Sequence, residues 1–522
     1  MMNNFFQEST AFEQALDAEY KKQKGAFYTD TLLAGQILSF LQIPENAVIL
    51  DPCCGAGSFL FAAGYFGSYR LYGADCNAKA AALCRKFVKE CKVSVMDTLS
   101  SPGEHVLEAL GLDKAADYVV GNPPYAPITE KNFPYCKDPS FLDKVNRSGG
   151  NLFVAALYRA FELACPEGII SYILPKNFLH VSAYRILRQV LLWEKQILSI
   201  IDLGACFKKV RGEQIVLTLK NQPAPENTID LYGLQNGIFT LTAQVPQKTY
   251  ANEIVLFSHP KDIAIYEKLN SPVYRKLGDV YGKKIHRGKE SGPKAVTGKQ
   301  IRKFGYKNSP APQEGNRVFL QNIYSAESGI IAASGGMLAA SQTITVVSAN
   351  SLQECKGLIG FFHSRLCNYY LMKFCYNGSK LTMHTDASYL SQLPLPFGEA
   401  PFAPVIPLAE ALEQAEYLSQ QWFSFLEALD QMVYQIYHMT WEEIQHIDSE
   451  ICKIQSPKWA FYERKTNIRS ARNTAADAPK ATVKSPFPRH AKNKAANKPI
   501  AADKGDAVEE KISGNVIAAN TA

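Results

Sequence analysis

Val48-Ile-Leu-Asp51-Pro-Cys-Cys-Gly55-Ala-Gly57-Ser-Phe59 reads as a short apolar strand that enters a glycine turn and then opens a helix. A turn of this kind lets a nucleotide-like ligand approach the backbone, because Gly55 and Gly57 bring no side chains and the helix N–H groups point outward. Asp75 follows twenty residues after Gly55, at the end of the next strand candidate, where a carboxylate accepts both hydroxyls of a ribose. A dinucleotide site would place a third glycine at position 60, which is Leu60, and no phosphate-binding lysine follows the turn. A nucleoside without phosphates fits these residues better. On this stretch alone, a plain strand-turn-helix of an α/β protein is an equal reading.

Working outward, short apolar segments alternate with amphipathic ones from about 47 to 220. Strands are expected at Ala47–Leu50, Arg70–Ala74, Asp117–Val120, Gly168–Leu174, Ser199–Asp202 and Gln214–Leu219. Helices are expected at 58–65, 78–90, 152–165 and 180–195. This alternation predicts an open, mostly parallel α/β sheet.

The third strand candidate runs straight into Asn122-Pro123-Pro124-Tyr125. Two consecutive prolines fix φ and supply no N–H donors, so the loop is rigid. It aims the Asn122 amide oxygen and the Pro123 carbonyl at one place, where they can hold the two hydrogens of an exocyclic amino group. Tyr125 offers a face for a planar base or amide. The competing reading is a turn that only ends a strand.

The glycine loop, Asp75, Asp97 and Asn-Pro-Pro-Tyr, in this order and at these distances, resemble the amino-methyltransferases that use S-adenosylmethionine (SAM). Lys24-Gly-Ala-Phe-Tyr-Thr-Asp30 resembles the segment that precedes the glycine loop in the gamma arrangement of adenine-N6 DNA methyltransferases, the TaqI-like group of type II restriction-modification. The resemblance covers residues 20–220 clearly and 225–400 loosely. It implies a Rossmann-like SAM-dependent methyltransferase domain followed by an α+β DNA target-recognition domain. It also implies cofactor contacts from Tyr28, Thr29, Asp51, Cys53, Gly55, Gly57, Asp75, Asp97 and Asn122. The catalytic loop would be Asn122, Pro123, Pro124 and Tyr125, with Phe207 stacking on the other face of a flipped adenine. Asn151-Leu-Phe153 and Pro175-Lys-Asn-Phe178 also match the family, without roles that follow from the match. Cys53-Cys54 departs from its usual glycine loop, and both are read as small packing residues. A core aromatic at Phe207 and a strand-end cap at Asp97 are the plainer readings of those two positions.

The chain holds 522 residues, with 47 % hydrophobic, so real cores are expected in roughly two to four domains. Its 56 Lys+Arg stand against 49 Asp+Glu, a net +7. Residues 464–522 hold 12 basic and 5 acidic side chains, which accounts for the whole excess. Residues 275–307 hold 11 basic residues against Asp279 and Glu290. Basic blocks of this density face phosphates or form solvated surface. Lys283, Lys284, Arg287, Lys289, Lys299, Arg302 and Lys303 are the expected DNA contacts.

The expected organisation is a catalytic domain over 1–222, a recognition domain over 223–400, a helical region over 401–464 with one or two helices, and a disordered basic tail over 465–522. The segment Gly378–Pro396 resembles the stretch that closes recognition domains in this family. The N-terminus shows no signal peptide, and no uncharged apolar run reaches the ~18 residues of a membrane span. Twelve cysteines without a CxxC pair fit a reduced, cytoplasmic chain. No metal is expected.

Double-stranded DNA is the expected partner of a monomer, with a separate cognate endonuclease as a further partner. About 24 residues before the first cofactor motif are too few for a fused nuclease. The alternatives are an RNA-base or protein-glutamine N-methyltransferase built on the same loop, or an inactive DNA-binding relative.

Overall fold

The computed structural model describes residues 2–454 apart from 26–28, 134–135, 208–211, 225, 308–314 and 399. Its centre is one nine-stranded sheet. The strands are β1 (Val48–Asp51), β2 (Arg70–Asp75), β3 (Lys92–Val95), β4 (Ala116–Gly121), β5 (Ala164–Pro175), β6 (Gln196–Gly204), β7 (Gln214–Lys220), β8 (Thr228–Gln235) and β9 (Ile238–Pro246). Their order in space is β3-β2-β1-β4-β5-β7-β6-β8-β9. The first five run parallel, and β7 is antiparallel to both β5 and β6. Every residue of β1 is buried, as a strand covered on both faces requires.

Helices α1 (Met2–Ala15), α2 (Ala18–Lys24) and α3 (Thr31–Phe40) precede the sheet. Then come α4 (Ser58–Phe66), α5 (Ala78–Phe87), α6 (Gly103–Leu110), α7 (Pro139–Arg147), α8 (Leu152–Leu163) and α9 (Arg185–Glu194). Ten of the twelve residues of α8 are buried. That explains its apolar run, and truncating one of its leucines costs about 2–5 kcal/mol. The side chain of Asn151 caps this helix by accepting the Phe153 N–H at 3.4 Å.

The expected strands and helices of 47–220 are present within a few residues. β3, α6 and α7 lie outside the expected elements: β3 has no buried residue, and the two helices are only eight and nine residues long. The sheet also runs past the boundary expected at 222. β8 pairs in parallel with β6, and β9 closes antiparallel on β8.

Beyond the sheet, Ile285–Arg287, Ile344–Ser348, Arg317–Gln321 and Ala332–Ser334 form a four-stranded antiparallel sheet in that spatial order. Three helices, not one or two, follow the proline-rich stretch: Ile406–Gln414, Gln420–Ile436 and Trp441–Ile454. The described residues belong to one unit, and the expected tail lies outside them. Among the described residues, no helix is long and apolar enough to cross a membrane.

Candidate active site

Strand order reverses between β1 and β4, and in such sheets ligands bind beyond the carboxyl ends of the strands at that point. A cleft of about 910 Å³, counted out to its open mouth, lies there. The strand ends deliver the polar groups: Asp51 from β1, Asp75 from β2, Asp97 just past β3 and Asn122 just past β4. Thr29, Cys53, Gly55 and Pro124 also line it. Gly57 is the N-cap of α4 and packs over Cys84. Tyr28 lies outside the described residues.

Each carboxylate is held differently. The oxygens of Asp75 accept the N–H groups of Gly55 and Asn77, each at 2.8 Å. Burial pushes its carboxyl up, against the pull of these two bonds. Asp51 is 2 % exposed and accepts the Cys53 N–H at 3.1 Å. Burial, with the Asp75 charge adding to it, raises its carboxyl to about 8. Asp51 fits beside β4 because Gly121 has no side chain: a Cβ there, at φ +150°, would sit 2.7 Å from Asp51 Oδ1. Asp97 accepts the Ser100 hydroxyl at 2.9 Å and the Ser100 N–H at 3.3 Å, so it caps the turn after β3 as well as facing the cleft.

Three carboxyl groups face one lysine, Lys24, so the cleft is acidic; Asp51 is mostly protonated at neutral pH and adds its charge when a cation enters. The donor set suits a cationic nucleoside. Asp75 keeps lone pairs for two hydroxyls, and the surplus of negative charge suits a sulfonium and an ammonium. Cys54 is buried against β2 and its thiol is pushed up to about 12, so it packs and does not react.

Two groups outside the quoted motifs, Tyr20 and Asn132, complete the wall. The hydroxyl of Tyr20, on α2, accepts the Asn77 side-chain N–H at 3.1 Å. Asn132 is buried; its side-chain N–H groups donate to the Gln23 carbonyl at 3.0 Å and the Pro127 carbonyl at 2.8 Å. It thereby ties the N-terminal arm to the chain that leaves the Asn-Pro-Pro-Tyr loop. Gly25 ends α2 at φ +58°, and its carbonyl accepts the Tyr125 N–H at 3.1 Å. A lone asparagine seven residues past Tyr125 carries no local signal for such a contact.

The hydroxyl of Tyr125 is shared between Asn122 Oδ1 and the Ile173 carbonyl, the latter at 2.7 Å. Its ring meets Phe153 edge-on at 6.4 Å. Phe207 is partly buried against the apolar cluster of Ile201, Leu203 and Val216. Neither aromatic lines the cleft.

The expected DNA contacts divide. Lys283, Lys284, Arg287, Lys289 and Lys299 are exposed. Arg302 and Lys303 are not free surface, which corrects the sequence expectation. They sit on the hairpin Ile301–Tyr306, whose Phe304 packs on His363 at 4.0 Å. That anchor carries Lys303 inward to 8 % exposure, where burial lowers its ammonium to about 8. Arg302 stacks on Tyr417 at 4.5 Å and donates to the Tyr306 carbonyl at 3.0 Å.

Together the strand order and the acidic cleft define a Rossmann-like SAM-dependent methyltransferase domain joined to a second, mixed region, and SAM is the cofactor of that class. More particularly, residues 9–256 match the family model described as N-6 DNA Methylase.

The type II methyltransferase M.VspI of Vibrio sp. (strain 343) is 25 % identical over 221 residues, 41 % of this chain and 52 % of that protein. The modification methylase CviBIII of Paramecium bursaria Chlorella virus NC1A is 25 % identical over 198 residues, 37 % of this chain and 48 % of that one. The chain thus spans about half the length of these curated relatives. In fold, the solved type IIL restriction-modification enzyme MmeI in complex with DNA superposes with a TM-score of 0.54 at 12 % identity, over 85 % of this chain and 81 % of that chain.

Proposed function

We propose that the protein is a site-specific DNA adenine-N6 methyltransferase, the modification component of a restriction-modification system. The observation that carries this is the Asn122 amide oxygen at the end of β4, beside an acidic cleft suited to SAM. Asp51, Asp75 and Asp97 would hold the cofactor, which when bound supplies an electrophilic methyl on a sulfonium.

Adenine inside a duplex has its amino group stacked between neighbours, so the base must leave the helix. Stacking on an aromatic offsets part of that cost, at about 1–3 kcal/mol per contact. In this reading Tyr125 and Phe207 turn toward the base. The Tyr125 hydroxyl gives up Asn122 Oδ1, and the adenine N6 hydrogens take that acceptor and the Pro123 carbonyl. The two acceptors draw the nitrogen lone pair out of conjugation. The chain's contribution is therefore positioning and polarisation. We assign target recognition to residues 223–400, with Lys283, Lys284, Arg287, Lys289 and Lys299 on phosphates, and we read the chain as a cytoplasmic monomer with a separate cognate endonuclease.

A tRNA (guanine(10)-N2)-dimethyltransferase of Methanocaldococcus jannaschii is 28 % identical over 160 residues, 29 % of this chain and 45 % of that protein, so an RNA amine is the second reading. Incubation with methyl-labelled SAM and duplex DNA, RNA or protein separates the two. Label in adenine of DNA is expected, and label in RNA or protein but not DNA overturns the proposal. Single-molecule sequencing of DNA from an expressing host then gives the site.

A further inference from the structure

Two stretches singled out in the sequence take no part in the cleft: Pro175–Phe178 at the end of β5, and Gly378–Pro396 in the second half. They meet at Glu213. This residue precedes β7 and is 7 % exposed. Its backbone carbonyl accepts the Lys176 N–H at 2.8 Å. Its Oε2 stands 3.4 Å from Lys176 Nζ. Its Oε1 accepts the Lys380 N–H at 2.9 Å, a contact across 167 positions of sequence. Lys176 Nζ also donates to Asp202 Oδ2, beyond the middle of β6, at 2.7 Å. A second tie lies close by: His180 Nδ1, two residues past Phe178, and the Tyr389 hydroxyl in the other stretch are 3.1 Å apart in a buried contact.

The other side of this hub is the Asn-Pro-Pro-Tyr loop. Ile173, whose carbonyl takes the Tyr125 hydroxyl, lies on β5 three residues before Lys176, which directly follows the last residue of that strand. One rigid strand end therefore separates the acceptor oxygen of Asn122 from the carboxylate of Glu213. That carboxylate turns one oxygen to each side: Oε1 accepts a directional hydrogen bond from the Lys380 N–H, and Oε2, without a hydrogen-bond partner of its own, faces the Lys176 ammonium as an ion pair. Apolar packing alone would join the two regions without fixing their register. The clipped backbone continues into Leu381, Thr382 and His384, all exposed.

We propose that Glu213 is a positioning residue: it registers the exposed 381–384 segment against the Asn122 loop, so that recognition of the target sequence and methyl transfer are coupled through it. This rests on the function proposed above.

Two substitutions separate the clip from the charge. Glu213→Asp keeps the negative charge beside Lys176 and withdraws the carboxylate from the Lys380 N–H. Glu213→Gln keeps an acceptor for that N–H and removes the charge. Each is measured for kcat and KM on a duplex carrying the host-determined site, for the ratio of kcat/KM between that site and a single-mismatch site, and for SAM affinity by calorimetry.

The expected result is unchanged SAM affinity in both. In Glu213→Asp, kcat falls about tenfold to a hundredfold and mismatch discrimination falls with it. Glu213→Gln stays close to the parent. Parent-like behaviour in Glu213→Asp, or equal losses in both variants, overturns the inference, because the clip would then carry no coupling. A parent protein that transfers no methyl to duplex DNA fails the functional proposal itself, and the inference falls with it. An active parent leaves the variants to judge the inference alone.

Discussion

The backbone N–H of Tyr125 donates to the carbonyl of Gly25 at 3.1 Å. A Cβ built on Gly25 would stand 2.5 Å from the Tyr125 carbonyl carbon. The arm that walls the cofactor cleft and the Asn-Pro-Pro-Tyr loop are therefore in direct backbone contact. Gly25→Ala must push them apart, and it also places a side chain at φ +58°, where L-residues lose roughly 1–2 kcal/mol. We expect weaker SAM binding and a lower kcat together, read by calorimetry and single-turnover methylation. Loss of only one of the two would show that the arm and the loop act separately.

Asn122→Ala removes the acceptor oxygen and leaves the carboxylates of the cleft in place. Methyl transfer should fall by at least about a hundredfold, with SAM affinity retained. Tyr125→Phe removes only the hydroxyl that binds Asn122 and keeps the ring. It should retain far more activity than Tyr125→Ala, as a comparison of initial rates will show.

Asp51 makes the cofactor site sensitive to pH. Its folded carboxyl titrates at about 8 because it is buried, whereas an unfolded one titrates near 4. Between those values the folded protein binds the extra proton, so this group's contribution to stability falls as pH rises through the window. A cationic ligand favours the ionised form. SAM binding below pH 8 should release protons, and affinity should rise with pH until about 8. Calorimetry in buffers of different ionisation enthalpy measures the release. An Asp51→Asn protein should show neither effect, and an unchanged proton release in it would place the titrating group elsewhere.

The split of the basic block predicts two classes of lysine. Replacing Lys283, Lys289 and Lys299 together with alanine should flatten the salt dependence of DNA binding by about 0.9 in log–log slope for each phosphate left without its cation. Lys303→Met should leave that slope alone, because the ammonium is buried; thermal melting reports its effect instead. A lowered slope in Lys303→Met would return that residue to the DNA surface.

Deleting residues 465–522 removes most of the net charge, since residues 464–522 carry the whole excess. The methylated sequence should be unchanged in the shortened protein, as sequencing of host DNA will show. A new target sequence would make the tail part of recognition.

Much of the catalytic half was legible because its signals are local. A strand covered on both faces shows as an apolar run, and Asp51, Asp75 and Asn122 could be placed because each closes such a run. What escaped depends on pairing at a distance. The strands β8 and β9 carry ordinary alternation, and nothing nearby says that β8 will join β6. Lys303 reads as surface charge, and contacts distant in sequence, with Phe304 docked on His363 and the Asp430 charge facing the lysine, hold it inside. Asn132 and Glu213 form their key bonds with Gln23 and Lys380, 109 and 167 positions away. Phe207 packs at the margin of the apolar cluster that includes Ile201 and Val216 and is not among the residues that line the cleft.

The missing Cβ of Gly121, which lets Asp51 sit against β4, has a consequence for mutational screens. Random variants chosen for lost methylation should collect at Gly121 and Gly25 about as densely as at Asn122, although neither glycine has a side chain to touch a ligand. A map of intolerant positions would thus outline a site larger than the set of groups that meet the substrate.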